Sequence, residues 1–231
     1  MVKLINQVKT KQQLQRLLSE IHVPFGKELI TDWINLDPIY VGDPNKAEYE
    51  SSIRKHLLDT VDKITLTGNW CEFGVRNGRS LNWIIEHKPL QKIYGFDSWE
   101  GLPEEWDHGL GKTDSMKCDP PNVPEHIELI KGLFQDTLPT WKENHPDPIA
   151  FLHMDADIYS STFYVLNELN DQIVPGTIIT FDEFCNFRLS GKMSYWKKHE
   201  FRALVEWMQE KGRKIKPLSR NWAYQASCIV L

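Results

Sequence analysis

Apolar residues change their spacing once along the chain. Up to about residue 64 they recur at helical intervals, first at Leu14, Leu17, Leu18 and Ile21 and then at Ile53, Leu57 and Val61 in a stretch running from Ala47. Beyond Thr65 short apolar runs alternate with helical stretches. The runs predict strands over Asn69 to Val75, Lys92 to Phe96, Ile127 to Ile130, Ile149 to Met154, Thr177 to Phe181, Lys214 to Pro217 and Tyr224 to Leu231. Helices are expected over Ser80 to Glu86, Thr137 to Asn144, Ser160 to Ile173 and Tyr195 to Lys211, the third stopped by Pro175-Gly176. Strand alternating with helix implies crossover units and a mainly parallel sheet, an α/β fold. Only a short turn separates the last two runs, so they are expected to pair antiparallel at the end of the sheet. The chain divides on this pattern into an N-terminal helical segment, 1–64, and a sheet domain, 65–231.

The composition narrows the classes of function. At 231 residues, 41% hydrophobic and 26% charged, the chain can bury a core and is too apolar for wholesale disorder. Its 27 basic and 32 acidic residues give a net charge of −5, which argues against non-specific nucleic-acid binding. The longest uncharged apolar stretch, Ile173 to Phe181, is far short of the roughly 20 residues that span a bilayer. No apolar run follows the N-terminal lysines, so a secretory leader is not expected. Cys71, Cys118, Cys185 and Cys228 are widely spaced with no metal-binding pattern, and read as reduced structural cysteines of a cytoplasmic protein.

Parallel sheets bind ligands at the carboxyl ends of their strands, so the chemistry is sought there. The first strand ends in Glu72-Phe73-Gly74-Val75-Arg76-Asn77-Gly78-Arg79-Ser80. Gly74 and Gly78 let a turn pass close to a ligand, and the helix start with the Ser80 hydroxyl can receive an anion, although an ordinary strand-to-helix turn has the same look. The spacing is G-x-x-x-G, which disfavours a nicotinamide or flavin dinucleotide. About 20 residues on, Asp97 and Ser98 follow the second strand, where a carboxylate would take the hydroxyls of a ribose or cap the next helix. The fourth and fifth strands end in Asp155-Ala156-Asp157 and Asp182-Glu183. Adjacent strands would gather these four carboxylates at one rim, where mutual repulsion raises their pKa values or calls for a hard cation such as Mg²⁺. Asp157 could instead serve as a general base.

Other positions stay open between chemistry and packing. The non-periodic stretch from Leu102 to Pro124 has the length of a functional lid, and its Trp106 and His108 either contact substrate or merely pack. His153, inside an apolar strand, suits a satisfied core histidine. His199 belongs either to an acceptor pocket or to the surface. From Ser190 to Arg220 nine Lys/Arg face three Glu, which would attract a phosphorylated or nucleotide-linked sugar or simply form a solvated helix face.

Five blocks, E-F-G-V-R-N-G-R-S, G-F-D-S-W-E-G-L-P, K-G-L-F-Q-D-T-L-P, M-D-A-D-I-Y-S-S-T and F-D-E-F, occur in the order found in a known family. Over residues 65 to 231 the chain resembles the class I S-adenosylmethionine-dependent O-methyltransferases of the macrocin/mycinamicin type, which act on sugars of macrolide and aminocoumarin antibiotics. The resemblance implies a Rossmann-like, seven-stranded, mainly parallel sheet with a C-terminal antiparallel hairpin. It places Glu72, Gly74, Gly78 and Ser80 at the methionine end of the cofactor, Asp97 and Ser98 at the ribose, Phe134 and Gln135 near the adenine, and Asp155 beside the cofactor. Asp155, Asp182 and Glu183 match the family's Mg²⁺ ligands, where the family usually has Asp-Asp in place of Asp182-Glu183, and Asp157 matches its general base. The acceptor implied is a hydroxylated small molecule, a sugar or glycoside, and the N-terminal helices could pack between subunits of a homo-oligomer or cover the active site. A nucleotide-binding oxidoreductase and a non-catalytic cofactor-binding module are the alternatives.

Overall fold

The computed structural model describes residues 24–39, 41, 46–106, 113–187 and 195–231. The expected helix around Leu14 to Ile21 and the residue His108 lie outside the described residues. Among the described residues two helices come first, α1 (Pro24–Ile34) and α2 (Lys46–Val61). Strand and helix then alternate through β1 (Asn69–Phe73), α3 (Arg79–His87), β2 (Ile93–Asp97), β3 (Ile127–Lys131), α4 (Phe134–Asn144), β4 (Ile149–Met154), α5 (Tyr159–Glu168) and β5 (Ile178–Phe181). The chain closes with α6 (Glu200–Lys211), β6 (Ile215–Arg220) and β7 (Ala226–Val230).

The seven strands form one sheet in the order β3-β2-β1-β4-β5-β7-β6. Strands β1 to β5 pair in parallel, whereas β7 runs antiparallel to both neighbours and inserts between β5 and β6. All six residues of β4 are buried, as expected for a central strand covered on both faces. Successive side chains leave a strand on opposite faces. In β1, Trp70 belongs to one apolar cluster and Cys71 and Phe73 to the other, and in β5 Ile178 parts from Ile179 and Phe181 in the same way.

The N-terminal helices are built into this core. Leu29, Ile30 and Trp33 of α1 join the cluster containing Phe73 and Phe181, while Leu57 and Val61 of α2 join the one containing Trp70. Trp33 donates its indole N–H to the Ser227 carbonyl of β7 at 3.1 Å. The buried Arg220 at the end of β6 donates Nε to the Trp33 and Leu36 carbonyls at 2.8 and 3.1 Å and a terminal nitrogen to the Ile34 carbonyl at 3.2 Å. One guanidinium thereby reaches three carbonyls at the end of α1, where the Trp33 carbonyl also accepts the Leu36 N–H at 3.1 Å.

Three predicted helices differ from the structure. Helix α4 begins at Phe134, three residues before its expected start at Thr137. Helix α5 ends at Glu168 instead of reaching Ile173, and the chain continues in turns whose Gln172 amide donates to the His145 and Asp147 carbonyls. The stretch from Tyr195 to Lys211 is interrupted at His199, which has φ −112° and ψ −120°, so a short 3₁₀ turn at Trp196–Lys198 precedes α6.

Candidate active site

Strand order reverses at β1, with β2 and β3 on one side and β4 and β5 on the other, and this is where open α/β sheets form ligand crevices. A cleft of about 270 Å³ opens there, lined by Gly74 to Asn77, Arg79, Ser80, Asp97, Ser98, Phe134, Gln135 and the acidic rim. Gly74 has φ +97°, and a Cβ placed on it would lie 1.8 Å from the Asp155 carbonyl oxygen. Only glycine lets the turn after β1 pass this close to the end of β4.

The cleft floor is held by hydrogen bonds from its own backbone. Asp97 accepts the Arg76 N–H on Oδ2 and the Trp99 N–H on Oδ1, both at 2.7 Å. Trp99 donates its indole N–H to the Arg76 carbonyl at 2.8 Å, tying the turns after β1 and β2 together. Arg76 and Trp99 both sit at positive φ, 49° and 55°, and these bonds offset the backbone cost. Ser98 Oγ donates to the Gly101 carbonyl, and Phe134 at the start of α4 meets Phe73 edge-on with centroids 5.2 Å apart.

The acidic rim is crowded. One carboxylate oxygen from each of Asp155, Asp157 and Glu183 lies within 4.8 Å of the others. Burial, then the neighbouring Asp182 and Asp157, pushes the Asp155 carboxyl well above the usual range. Burial and the charges of Asp157 and Asp182 do the same to Glu183. Burial also raises Asp157 to about 6, partly offset by a hydrogen bond with Glu183. Asp157 has φ 59°, which turns the backbone sharply after β4. Asp182 lines the cleft too, but its Oδ1 accepts a 3.1 Å bond from Gln225.

Most of the residues singled out in the sequence meet at this cleft: Gly74, Ser80, Asp97, Ser98, Phe134, Gln135, Asp155, Asp157, Asp182 and Glu183 all line it. Glu72 and Gly78 do not. Glu72 is buried behind it, accepting the Ser80 hydroxyl at 2.9 Å and facing His153 Nδ1 at 3.1 Å. Burial alone would lower the His153 pKa, but the hydrogen bond and charge of Glu72 raise it, so this is a paired core histidine. Gly78, at φ +77°, faces the Pro121 ring and begins α3. The close carboxylate triad contains Asp157, whereas Asp182 is engaged by the hairpin. Trp106 is buried against the cleft, and the Ser160 hydroxyl donates to Glu104 at 2.7 Å on the same segment.

One acidic residue escaped the sequence reading. Glu200, fully buried in the first turn of α6, accepts the Glu183 N–H at 3.0 Å and has its pKa pushed well up by burial and by Asp182 and Asp157. Its position behind Glu183 depends on the break at His199, for which no local sequence signal was available. The rim suits a hard dication: several carboxylates share one small volume, and Glu183 Oε2 is buried with no hydrogen-bond partner among the described residues.

Residues 71–184 match the family model described as a methyltransferase domain. That match covers just under half of the chain. Its sheet is the Rossmann-like methyltransferase fold, shared with calicheamicin methyltransferase CalS11 at 22% identity and a TM-score of 0.61, covering 94% of this chain and 90% of that one. The O-methyltransferase NovP has the same fold at 18% identity and a TM-score of 0.58, over 77% of this chain and 78% of that one. Among curated proteins, demethyldecarbamoylnovobiocin O-methyltransferase of Streptomyces niveus is 24% identical over 157 residues, 58% of this chain and 58% of the relative. An 8-demethyl-8-(2,3-dimethoxy-alpha-L-rhamnosyl)-tetracenomycin-C 4'-O-methyltransferase of Streptomyces olivaceus is 23% identical over 154 residues, 56% and 58% of the two chains. The matched region thus spans less than two thirds of either relative. No described helix is long and apolar enough to cross a membrane.

Proposed function

We propose that this protein transfers a methyl group from S-adenosylmethionine to a hydroxyl of a sugar-containing small molecule, with Mg²⁺ at the acidic rim. The observation that carries the reading is the meeting, in one cleft, of the Gly74 turn, Asp97 and the Asp155–Asp157–Glu183 triad. The match to a methyltransferase domain and the names of the two curated relatives, both O-methyltransferases, support the reaction class over a nucleotide-binding oxidoreductase.

In this reading the turn from Gly74 to Ser80 receives the methionine part of the cofactor, Asp97 and Ser98 the ribose, and Phe134 with Gln135 the adenine. Asp155, Asp182 and Glu183 would hold the cation, which would lower the pKa of a hydroxyl that binds it. The rest falls to the chain itself. Asp157, beside that cluster, takes the hydroxyl proton as general base. The wall of Leu102, Pro103 and Trp106 keeps water from the cleft, and the enclosed site aligns the hydroxyl oxygen with the sulfonium methyl for in-line displacement.

Calorimetry with S-adenosylhomocysteine tests the cofactor half of this assignment, and a mass-read screen of free and nucleotide-linked sugars tests the acceptor half. Binding of S-adenosylhomocysteine with and without Mg²⁺ is expected. No heat of binding under either condition would overturn the reading.

A further inference from the structure

The acidic rim is held from behind by the turn that joins β6 to β7. Asn221 Oδ1 accepts three backbone N–H groups of that turn, from Ala223, Tyr224 and Gln225, at 2.8, 2.9 and 3.2 Å. Backbone amides can only donate, so the oxygen of this side chain must face them, and its Nδ2 must point the other way. Nδ2 donates to Gln225 Oε1. With its oxygen so engaged, Gln225 must present its nitrogen to the rim, and Nε2 donates to Asp182 Oδ1 at 3.1 Å. A second hydrogen bond from Gln225 reaches Tyr49 of α2, whose phenol is kept protonated chiefly by burial and then by Asp182 and Glu183. Asn221 and Gln225 are both buried, at 0% and 1% exposure, and neither lines the cleft.

We infer that Asn221 and Gln225 form a lock that fixes Asp182, tying Oδ1 to the hairpin so that one carboxylate orientation is offered to the cleft. The orientation follows from a chain of donors and acceptors that starts at three backbone amides and leaves no freedom to flip. The two residues are positioning residues. In the cation reading proposed above, on which this role rests, they act as the outer partners that orient an acidic residue of the rim, and such partners typically tune metal affinity by about 10–100-fold. The lock also joins the N-terminal helices to the site, since Tyr49 packs edge-on against Trp222 and Tyr224 of the same turn at 6.0 and 6.3 Å.

Two variants test the lock. Gln225→Leu removes the donor to Asp182. Asn221→Asp keeps the oxygen that holds the turn and replaces only the nitrogen that fixes Gln225. Binding of Mn²⁺ to the full chain, followed by electron paramagnetic resonance, is expected to weaken about 10-fold or more in each variant. The double variant should bind no more weakly than Gln225→Leu alone, because both changes break one chain of bonds. Unchanged Mn²⁺ affinity in Gln225→Leu, or losses that add in the double variant, would overturn the inference. Exchange of the Gln225 side-chain amide protons, assigned by their loss in Gln225→Leu, is a second readout that needs no metal. It should be slow in the native chain and fast in Asn221→Asp, and equal rates would overturn the lock. If the native chain binds no Mn²⁺, the cation reading fails, and the amide exchange still decides whether the lock exists.

Discussion

Asp157 occupies a backbone position that most side chains resist, with φ 59°, and it does so at the edge of a cluster that also resists its charge. Asn and Asp are the non-glycine residues that tolerate this left-handed region best. Asp157→Asn is therefore a chemical change with little conformational cost. If Asp157 is the general base, turnover of an identified acceptor should fall by about 10²–10⁴-fold while S-adenosylhomocysteine binds as before. Retained turnover would remove Asp157 from the reaction, and lost S-adenosylhomocysteine binding would assign it to the cofactor. The sequence made Asp157, Asp155, Asp182 and Glu183 visible because each follows an apolar strand, and strand ends in a parallel sheet share one rim. Glu200, Asn221 and Gln225 were not visible. They sit on a helix and a hairpin distant in the chain, and only tertiary packing brings them against the rim.

At the scale of elements, legibility follows burial. Strand β4 was bounded correctly from Ile149 to Met154 because all six residues are buried and the run is almost wholly apolar. Strand β6 ran past its expected end at Pro217 to Arg220, since its pairing with β7 is set by the partner strand and includes an irregularity between Pro217 and Ser219. Helix α5 was overextended because Leu169 and Ile173 keep a helical spacing, while side-chain bonds from Gln172 favour a turn. The anchoring of α1 was equally hidden. Arg220 is 3% exposed and donates to three carbonyls at the end of that helix, with its guanidinium 5.0 Å over the Phe187 ring. Burial lowers its pKa to about 10, so it remains the cation of this arrangement at neutral pH. Arg220→Met keeps much of the apolar stem but removes the donors to those carbonyls, of which only that of Trp33 keeps a backbone partner, the Leu36 N–H, and should cost about 2–4 kcal/mol. Urea unfolding would show a lower midpoint, and hydrogen exchange would rise first in Pro24–Ile34. Unaltered protection in that helix would mean that packing of Ile30 and Trp33 alone holds it.

For the whole molecule, the net charge of −5 conceals where the acidity sits. Burial, reinforced by mutual repulsion, raises Asp155, Glu183 and Glu200 well above the usual carboxylate range and Asp157 to about 6. An acid that holds its proton more tightly when folded stabilises the fold at low pH, and loses that contribution as pH rises through the folded value. His153, raised by Glu72 against the effect of burial, acts in the same direction. His56 acts oppositely, because burial lowers it to about 3. Between that value and the ordinary 6.5 or so of an unfolded histidine, the unfolded chain takes a proton that the folded chain refuses. Well above that range His56 is neutral in both states and adds no slope. From pH 8 down to 6.5 the unfolded chain takes up only part of the His56 proton, which the rim and His153 together outweigh, and the protein in EDTA should melt at a higher temperature at pH 6.5 than at pH 8. One proton taken up over one pH unit is worth about 1.4 kcal/mol, which corresponds to about 2–4 °C per kcal/mol for a chain of this size. Mg²⁺ competes with protons for the same oxygens in the proposed reading, so it should raise the melting temperature at pH 8 and do so much less at pH 6.5. A flat or falling profile in EDTA would show that the rim carboxylates titrate as solvated groups, and an Mg²⁺ effect indifferent to pH would place the cation somewhere other than the rim.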